Sequence, residues 1–213
     1  MPRGTLLSDQ NRLLAALPRQ DYRRLARYLD PVSLTFGQVL YGPGKAAEVG
    51  MVGNEGVVGA SAALGIDVSN LRAVVQGAGT AVRITASRLR RELRAQGDWY
   101  RELFRFTHAL MAQVAQTAAC NRFHKIEPRL ARWLLTTRDR VHSNRFQLTH
   151  QFLSLMLGVR RVGVTAAATS LQRRGLISYR RGNIELLDPR GLEAAACGCY
   201  RAVTEMHRSS RRT

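Results

Sequence analysis

The sequence has few cysteines and no long apolar run. Three cysteines occur, Cys120, Cys197 and Cys199, and the residues after Met1 lack the apolar core of a secretion signal. An odd number of cysteines without such a signal argues against a disulfide-bonded secreted domain. Because no stretch approaches about 18 uncharged apolar residues, we expect no transmembrane helix and no membrane partner. We therefore expect a protein of the reducing cytoplasm.

Acidic residues and lysines are also scarce. The chain has 15 acidic and 33 basic side chains, a net charge of +18, and its only lysines are Lys45 and Lys125. So basic a chain usually binds a polyanion, and arginine suits bidentate contacts to phosphate and guanine; a GC-rich genome is an alternative source of the arginines. Residues 1–98 carry 13 basic and 8 acidic side chains, whereas residues 99–213 carry 20 and 7. The polyanion site is therefore expected in the C-terminal half.

Catalytic motifs are missing as well. The sequence has no glycine-rich phosphate loop, no motif of paired carboxylates and no serine–histidine arrangement. With 45% hydrophobic residues it can still form a folded core. We expect a globular protein that is not an enzyme and needs no cofactor.

The N-terminal part predicts a short helical segment followed by a small β-roll. The leucine spacing over residues 9–29 predicts a helix that Pro18 splits, and residues 86–96 again look helical. Ten glycines lie between Pro31 and Thr85. They separate short runs typical of strands at Val32–Phe36, Val39–Tyr41, Val49–Val52, Arg72–Val75 and Ala81–Ile84. Short strands with glycine turns favour a small roll or barrel.

A long helix is predicted from Trp99 to about Arg122, where glycine and proline are absent. Its apolar stripe comprises Leu103, Phe106, Leu110, Val114 and Thr117, widened by Phe104, Met111, Ala115 and Ala118. A stripe this wide can pack on its own domain and on a partner helix. We expect a two-fold dimer seam through Leu103, Leu110 and Val114, with packing inside the chain as the alternative. A new helix from Pro128 to Arg138 places a boundary near residues 123–126.

The segment of residues 147–187 predicts two short helices and a hairpin. Thr149 is expected to cap the first helix and Gly158 to end it. The second runs over Arg161–Arg174, and Gly175 ends it. This spacing is typical of a helix-turn-helix motif. The β-type runs Ile177–Arg180 and Ile184–Leu187, joined by a turn at residues 182–183, add a wing, which is more specific than two short helices alone.

The second helix is expected to enter the major groove of DNA with its first turn facing the bases. Arg161 would donate two hydrogen bonds to a guanine, Val162 and Ala166 would contact thymine methyl groups, and Thr165 would bond a base or phosphate. Phosphate contacts are expected from Thr149, His150, Arg160, Arg180 and Arg181. The alternative is that these arginines are ordinary solvated charges.

Five segments resemble a known family: Gln116–Arg122, Arg129–Leu135, Leu148–Leu153, Met156–Arg161 and Leu171–Ile177. They are similar to the Crp/Fnr superfamily of bacterial transcription regulators. The resemblance implies double-stranded DNA and RNA polymerase as partners, and a homodimer on a two-fold symmetric site. It also implies an α+β chain of four parts. These are a shortened cyclic-nucleotide-binding-like β-roll (1–98), a dimerisation helix (99–124), a winged helix-turn-helix domain (125–190), and a C-terminal helix with a basic tail (191–213).

The sequence departs from the cyclic-AMP-responsive members of that family. Val162 stands where those members carry a base-reading glutamate, so their target sequence does not transfer. Only Lys45–Ala47 separate two segments that further strands divide in the family, which predicts either a cut-down roll or a deletion variant. Glu55 and Arg72 fall where the family binds ribose and phosphate, but Ala73 replaces the expected serine. We expect no tight response to cyclic AMP.

Two alternatives stay open at this point. Cys120 and His124 lie four residues apart on one helix face, and with Cys197 and Cys199 they supply four potential ligands for a metal- or redox-sensing regulator. We expect idle cysteines and no metal site. The other alternative is a nucleic-acid-binding protein of architectural or RNA type, without a preferred DNA sequence.

Overall fold

A computed structural model of the chain describes residues 11–42, 48–69, 71–94 and 98–209. Helices and small antiparallel sheets make up these residues, which confirms the predicted α+β class. They form two compact units: an N-terminal unit of Met1–Lys45 with Val52–His108, and a C-terminal unit of Ala46–Met51 with Ala109–Thr213. The division between the units therefore falls within the long helix.

The N-terminal unit contains short helices and two pairs of strands. Its elements are α1 (Arg12–Ala15), α2 (Arg19–Ala26), β1 (Asp30–Leu34), β2 (Val39–Tyr41), a 3₁₀ helix (Ala60–Leu64), β3 (Ala73–Val74), β4 (Gly79–Arg83) and α3 (Ala86–Arg94). β1 pairs with β4 and β2 with β3, both antiparallel. Pro18 lies between α1 and α2, as predicted.

The predicted strand at Val49–Val52 is wrong. Its backbone makes contacts within the C-terminal unit instead of joining a ladder. The Glu48 amide donates to the Met156 carbonyl at 3.1 Å, and the Met51 amide donates to the Gln113 side chain at 2.9 Å. The buried Glu48 carboxylate accepts a hydrogen bond from the Trp133 indole at 2.5 Å. Tertiary contacts have therefore overridden the β propensity of this segment.

The long helix α4 spans Asp98–Phe123 and has two different faces. One face is buried and carries Leu103, Phe106, Ala109, Gln113, Thr117 and Cys120. Another face is exposed and carries Met111, which is 68% exposed, with Ala115 and Ala118. Leu103 is only 1% exposed, so the expectation that it meets a symmetry mate is wrong. Of the bulky stripe residues, Leu103 and Phe106 therefore pack within the chain, whereas Leu110 and Val114 are only half-buried.

The C-terminal unit is built around one central helix. It comprises the end of α4, then α5 (Ile126–Val141), β5 (Arg145–Gln147), α6 (His150–Leu157), α7 (Arg161–Arg173), β6 (Ile177–Arg180), β7 (Asn183–Leu186), α8 (Pro189–Ala195) and α9 (Cys199–Ser209). Trp133 and Leu134 of α5 are fully buried, as are Val164 and Leu171 of α7. The sheet has the order β5-β7-β6. Sequence analysis missed β5, a strand of only three residues.

Helices α6 and α7 are bounded as the sequence predicted. The Thr149 hydroxyl accepts a hydrogen bond from the Phe152 amide at 3.1 Å, and Gly158 ends α6 with a φ of 61°.

Among the described residues no single helix is long and apolar enough to span a membrane. Only the pair of α6 and α7, bent by 108°, reaches that length and composition together.

The turn of the wing differs by one residue from the prediction. Asn183 pairs with Arg180 and belongs to β7, so the central turn residues are Arg181 and Gly182. Both have positive φ, 49° and 84° respectively. Positive φ at both centres is the two-residue hairpin geometry that matches strand twist. The predicted turn at residues 182–183 is corrected accordingly.

Candidate nucleic-acid interface

Helix α7 presents one face to its own core and the opposite face to solvent. Val164, Ala167, Ala168 and Leu171 are buried, whereas Arg161, Val162, Thr165 and Ala166 are exposed. Val162 is 73% exposed, so its methyl groups are open to solvent. Four-residue steps from Arg161 through Thr165 also bring Thr169 and Arg173 to the exposed side. The sequence analysis missed these two, although the same spacing contained the signal.

Four arginines at this face carry uncompensated charge. Arg160 and Arg161 lie at the start of α7, and Arg180 and Arg181 lie at the tip of the wing, all exposed. None of the four forms an ion pair with another described residue. Elsewhere in the unit, Arg174 pairs with Glu127 at 2.7 Å. The amino terminus of α7 adds its own partial positive charge, so the face suits an anion.

A small polar cluster ties the wing to both helices. The Thr165 hydroxyl lies 2.9 Å from Nδ1 of His150, and the His150 ring stacks on Tyr179 with ring centroids 4.4 Å apart. The Tyr179 hydroxyl donates to the Leu148 carbonyl at 3.1 Å, and its amide donates to the Gln172 side chain at 2.7 Å. These contacts fix β6 of the wing against α6 and α7.

The environment of His150 in this cluster changes its pKa. Burial, and then the nearby positive charge of Arg161, lower the pKa of His150 from its ordinary value of 6.5. Burial also raises the pKa of Tyr179. The half-buried imidazole lies within hydrogen-bond distance of the Thr165 hydroxyl, so it can position Thr165 and the wing. The phosphate contact expected of His150 from the sequence stays a prediction.

The wing tip holds an arginine in a conformation that costs energy. Arg181 has a φ of 49°, in the left-handed region that glycine and asparagine adopt more readily. Gly182 beside it meets the same requirement without a side chain. The Leu148 amide donates to the Gly182 carbonyl at 2.6 Å, which seats the tip beside the start of α6. An arginine kept at a strained position is a pointer to function.

The residues proposed for nucleotide binding have a different setting. Glu55 accepts a hydrogen bond from the Gly53 amide at 3.1 Å, a contact local to its loop. Arg72 is exposed and precedes β3. A Cβ atom on Gly56 would overlap the Phe106 ring, so that ring packs directly on the loop backbone. The described strands form two separate pairs and do not close a roll. Nucleotide binding through Glu55 and Arg72 stays a prediction.

Comparison with known proteins agrees with this architecture. Residues 128–195 match the Crp-like helix-turn-helix domain. A crp/fnr-family transcriptional regulator from Eubacterium rectale has a TM-score of 0.60 at 16% identity, over 88% of this chain and 98% of that one. A CRP/FNR-family regulator from Thermus thermophilus has a TM-score of 0.59 at 19% identity, over 78% and 98%.

A third similar structure is the c-di-GMP-responsive regulator CLP from Xanthomonas campestris, with a TM-score of 0.60 at 14% identity, over 79% and 99% of the two chains. No curated protein matches the chain. At these identities the structural likeness concerns the fold. With the domain match, it confirms the resemblance to the Crp/Fnr superfamily that the sequence motifs indicated.

The first prediction concerns the titration of His150. Its imidazole resonances in an NMR titration should give a pKa below 6.5, because the buried ring resists protonation. Arg161→Ala removes the second cause, so it should raise this pKa part of the way back. The imidazole of His150 takes up its proton at a higher pH in the unfolded state than in the folded state. The contribution of His150 to stability is therefore present above pH 6.5 and is lost as pH falls through the folded pKa. A pKa at or above 6.5 would contradict the assignment.

The second prediction separates strain from charge at the wing tip. Arg181→Gly should raise the free energy of unfolding by up to about 1 kcal/mol, because glycine adopts the left-handed conformation without a steric cost. The same change should weaken DNA binding and lower the salt slope by about 1, since one phosphate contact is lost. Chemical denaturation and a salt series of binding assays measure the two effects. Arg180→Ala is the control, which should reduce binding without gaining stability. A less stable Arg181→Gly protein would refute the strain argument.

Proposed function

We propose that this chain is a sequence-specific DNA-binding transcription regulator of the Crp/Fnr type that acts as a homodimer. The observation that carries the proposal is the exposed face of α7, flanked by four arginines that have no acidic partner among the described residues. Its position in a winged helix-turn-helix fold supports insertion into the major groove. RNA polymerase is the partner through which such a regulator would act.

The residues of the exposed face divide into base readers and phosphate contacts. Arg161, in the first turn of α7, offers two donors to O6 and N7 of a guanine. Val162 and Ala166 present methyl groups to thymine, and Thr165 adds a hydroxyl whose position His150 restrains. These side chains supply the sequence preference of the proposed complex.

Phosphate contacts supply most of the affinity in the proposed complex. Arg160, Arg180 and Arg181 provide exposed positive charge on both sides of the recognition helix. The Thr149 hydroxyl already accepts the cap hydrogen bond, so it would contribute only as a donor to phosphate. Contacts of this kind position the protein on the duplex without reading the base sequence.

The dimer seam moves to the exposed face of α4. Met111, Ala115 and Ala118 follow the four- and three-residue steps of a coiled-coil seam, and the two alanines allow close helix approach. Leu110 and Val114, the other residues of the predicted seam, are half-buried and their side chains lie towards Gly50. A second copy of the chain fits this face because a two-fold axis sets like surfaces together. Pairing also doubles the base contacts, which a single module needs among ~10⁶–10⁹ competing sites.

The third prediction tests sequence-specific readout. Duplexes selected from a random pool should share a palindrome whose half-sites lie about one helical turn apart. Arg161→Ala should cost ~1–3 kcal/mol and relax one base pair in each half-site. Arg201→Ala is the matched control, since it removes the same charge from a guanidinium already paired with Glu193 at 3.0 Å. It should leave the ranking of sites unchanged. Selection without any consensus would instead favour an architectural or RNA-binding protein.

The fourth prediction concerns the oligomeric state. Sedimentation at micromolar concentration should show a dimer, and Met111→Glu should shift it to a monomer, because two like charges would meet in a dry seam. That monomer should keep its helical content and lose most of its affinity for the palindrome. Phe123→Glu, on the same helix at a position 76% exposed, should remain a dimer. A wild-type monomer that binds one half-site with full affinity would refute the seam.

A further inference from the structure

Four potential metal ligands come together in the C-terminal unit. Cys120 and His124 lie one turn apart at the end of α4, whereas Cys197 precedes α9 and Cys199 is its first residue. Their three sulfur atoms and one ring nitrogen all lie within 4.8 Å of one another. We propose that these residues bind a single thiophilic divalent cation, with Zn²⁺ as the expected ion. This site goes beyond the proposed function, because DNA recognition by α7 does not require it.

Two of the ligand pairs have separations close to those expected around one tetrahedral ion, and all four ligand atoms lie within 4.8 Å of one another. A Zn–S bond of about 2.3 Å and a Zn–N bond of about 2.0 Å give tetrahedral edges of about 3.8 Å between two sulfurs and about 3.5 Å between sulfur and nitrogen. The Cys120 and Cys197 sulfurs are 3.5 Å apart, and the Cys199 sulfur is 3.5 Å from Nδ1 of His124. Iron–sulfur clusters spread their cysteines over two or more iron atoms, so this compact set favours a mononuclear centre.

The electrostatic surroundings favour a centre with negative charge. Three thiolates and one divalent cation leave one net negative charge. Arg129 and Arg132 are buried, and the Nε atom of each is without a hydrogen-bond partner among the described residues. Both guanidinium groups interact electrostatically with Cys120. Since a buried cation needs an anionic partner, a metal–thiolate centre would compensate this charge.

Neighbouring groups hold the cysteine ligands in place, and one ligand, His124, is open to solvent. The Gln116 side chain donates to the Cys199 sulfur at 3.1 Å, the kind of outer hydrogen bond that holds a metal-bound thiolate. The Cys197 amide donates to the Pro128 carbonyl at 3.4 Å, which seats the α8–α9 turn at the start of α5. His124 is exposed and provides a route for the ion to enter. A bound ion would therefore join the end of α4 to α9.

Co²⁺ is a suitable probe because tetrahedral thiolate coordination gives it a strong visible absorption. The reduced chain, freed of metal by a chelator, should bind one Co²⁺ per chain and develop this absorption. Zn²⁺ should then abolish the absorption by displacing Co²⁺. Metal should also raise the midpoint of thermal unfolding, since the ion binds only the folded arrangement. A chain with three free thiols that takes up no Co²⁺ or Zn²⁺ would overturn the proposal.

Variants test the ligand set separately from folding. His124→Ala changes an exposed residue, so the protein should stay folded by circular dichroism. It should bind Co²⁺ more weakly and with a shifted absorption spectrum, because water would replace the ring nitrogen. Gln116→Ala should weaken Zn²⁺ binding by about 10-fold, as expected for a group that orients a ligand. His108→Ala, at an exposed histidine on the same helix, is the matched control and should bind Co²⁺ normally. Unchanged Co²⁺ spectra in both His124→Ala and Cys199→Ser proteins would exclude this ligand set.

Discussion

The C-terminal unit depends on one helix that is buried on nearly every side. Nine consecutive residues of α5, from Arg129 to Thr137, are buried. Such a helix can anchor α6, α7, the wing sheet and α8 at once, but its polar side chains must find partners inside the protein. The Thr136 hydroxyl donates to the Arg132 carbonyl, and Arg129 donates to Asn121 and to the Leu157 carbonyl. The positive charges of the two buried guanidinium groups, on Arg129 and Arg132, still require an anionic partner.

That arrangement links the two sites of this unit. On one side of α5, small and branched residues of α7 fill the core, which leaves the arginines of α7 and of the wing free for an anion. Elsewhere in the unit, the buried positive charges of Arg129 and Arg132 interact electrostatically with Cys120. The proposed metal centre would therefore place negative charge in the buried part of this unit, whereas the proposed DNA face carries positive charge at its surface.

Several local interpretations failed for reasons that no single-sequence pattern contains. Val49–Val52 has strand-like composition, but Glu48 and Met51 find hydrogen bonds on Trp133 and Gln113, far away in the sequence. Leu103 belongs to the same apolar stripe as Met111, and only packing shows which of them stays exposed. At the wing, asparagine was the natural turn residue, yet Arg181 takes the left-handed conformation because strand pairing places Asn183 in β7.

By itself the sequence determined the α+β class, the helix-turn-helix with its wing and the buried face of α7, because capping residues and helical periodicity act over a few neighbours. The exposed position of Arg161 followed from the same periodicity, and those of Arg180 and Arg181 from the predicted hairpin. Tertiary structure alone decided which residues separated in the chain meet. It brought Cys120 and His124 to Cys197 and Cys199, although the sequence favoured idle cysteines without a metal. It also set the surroundings of His150, because the burial and the charge of Arg161 that lower its pKa depend on the packed helices and wing.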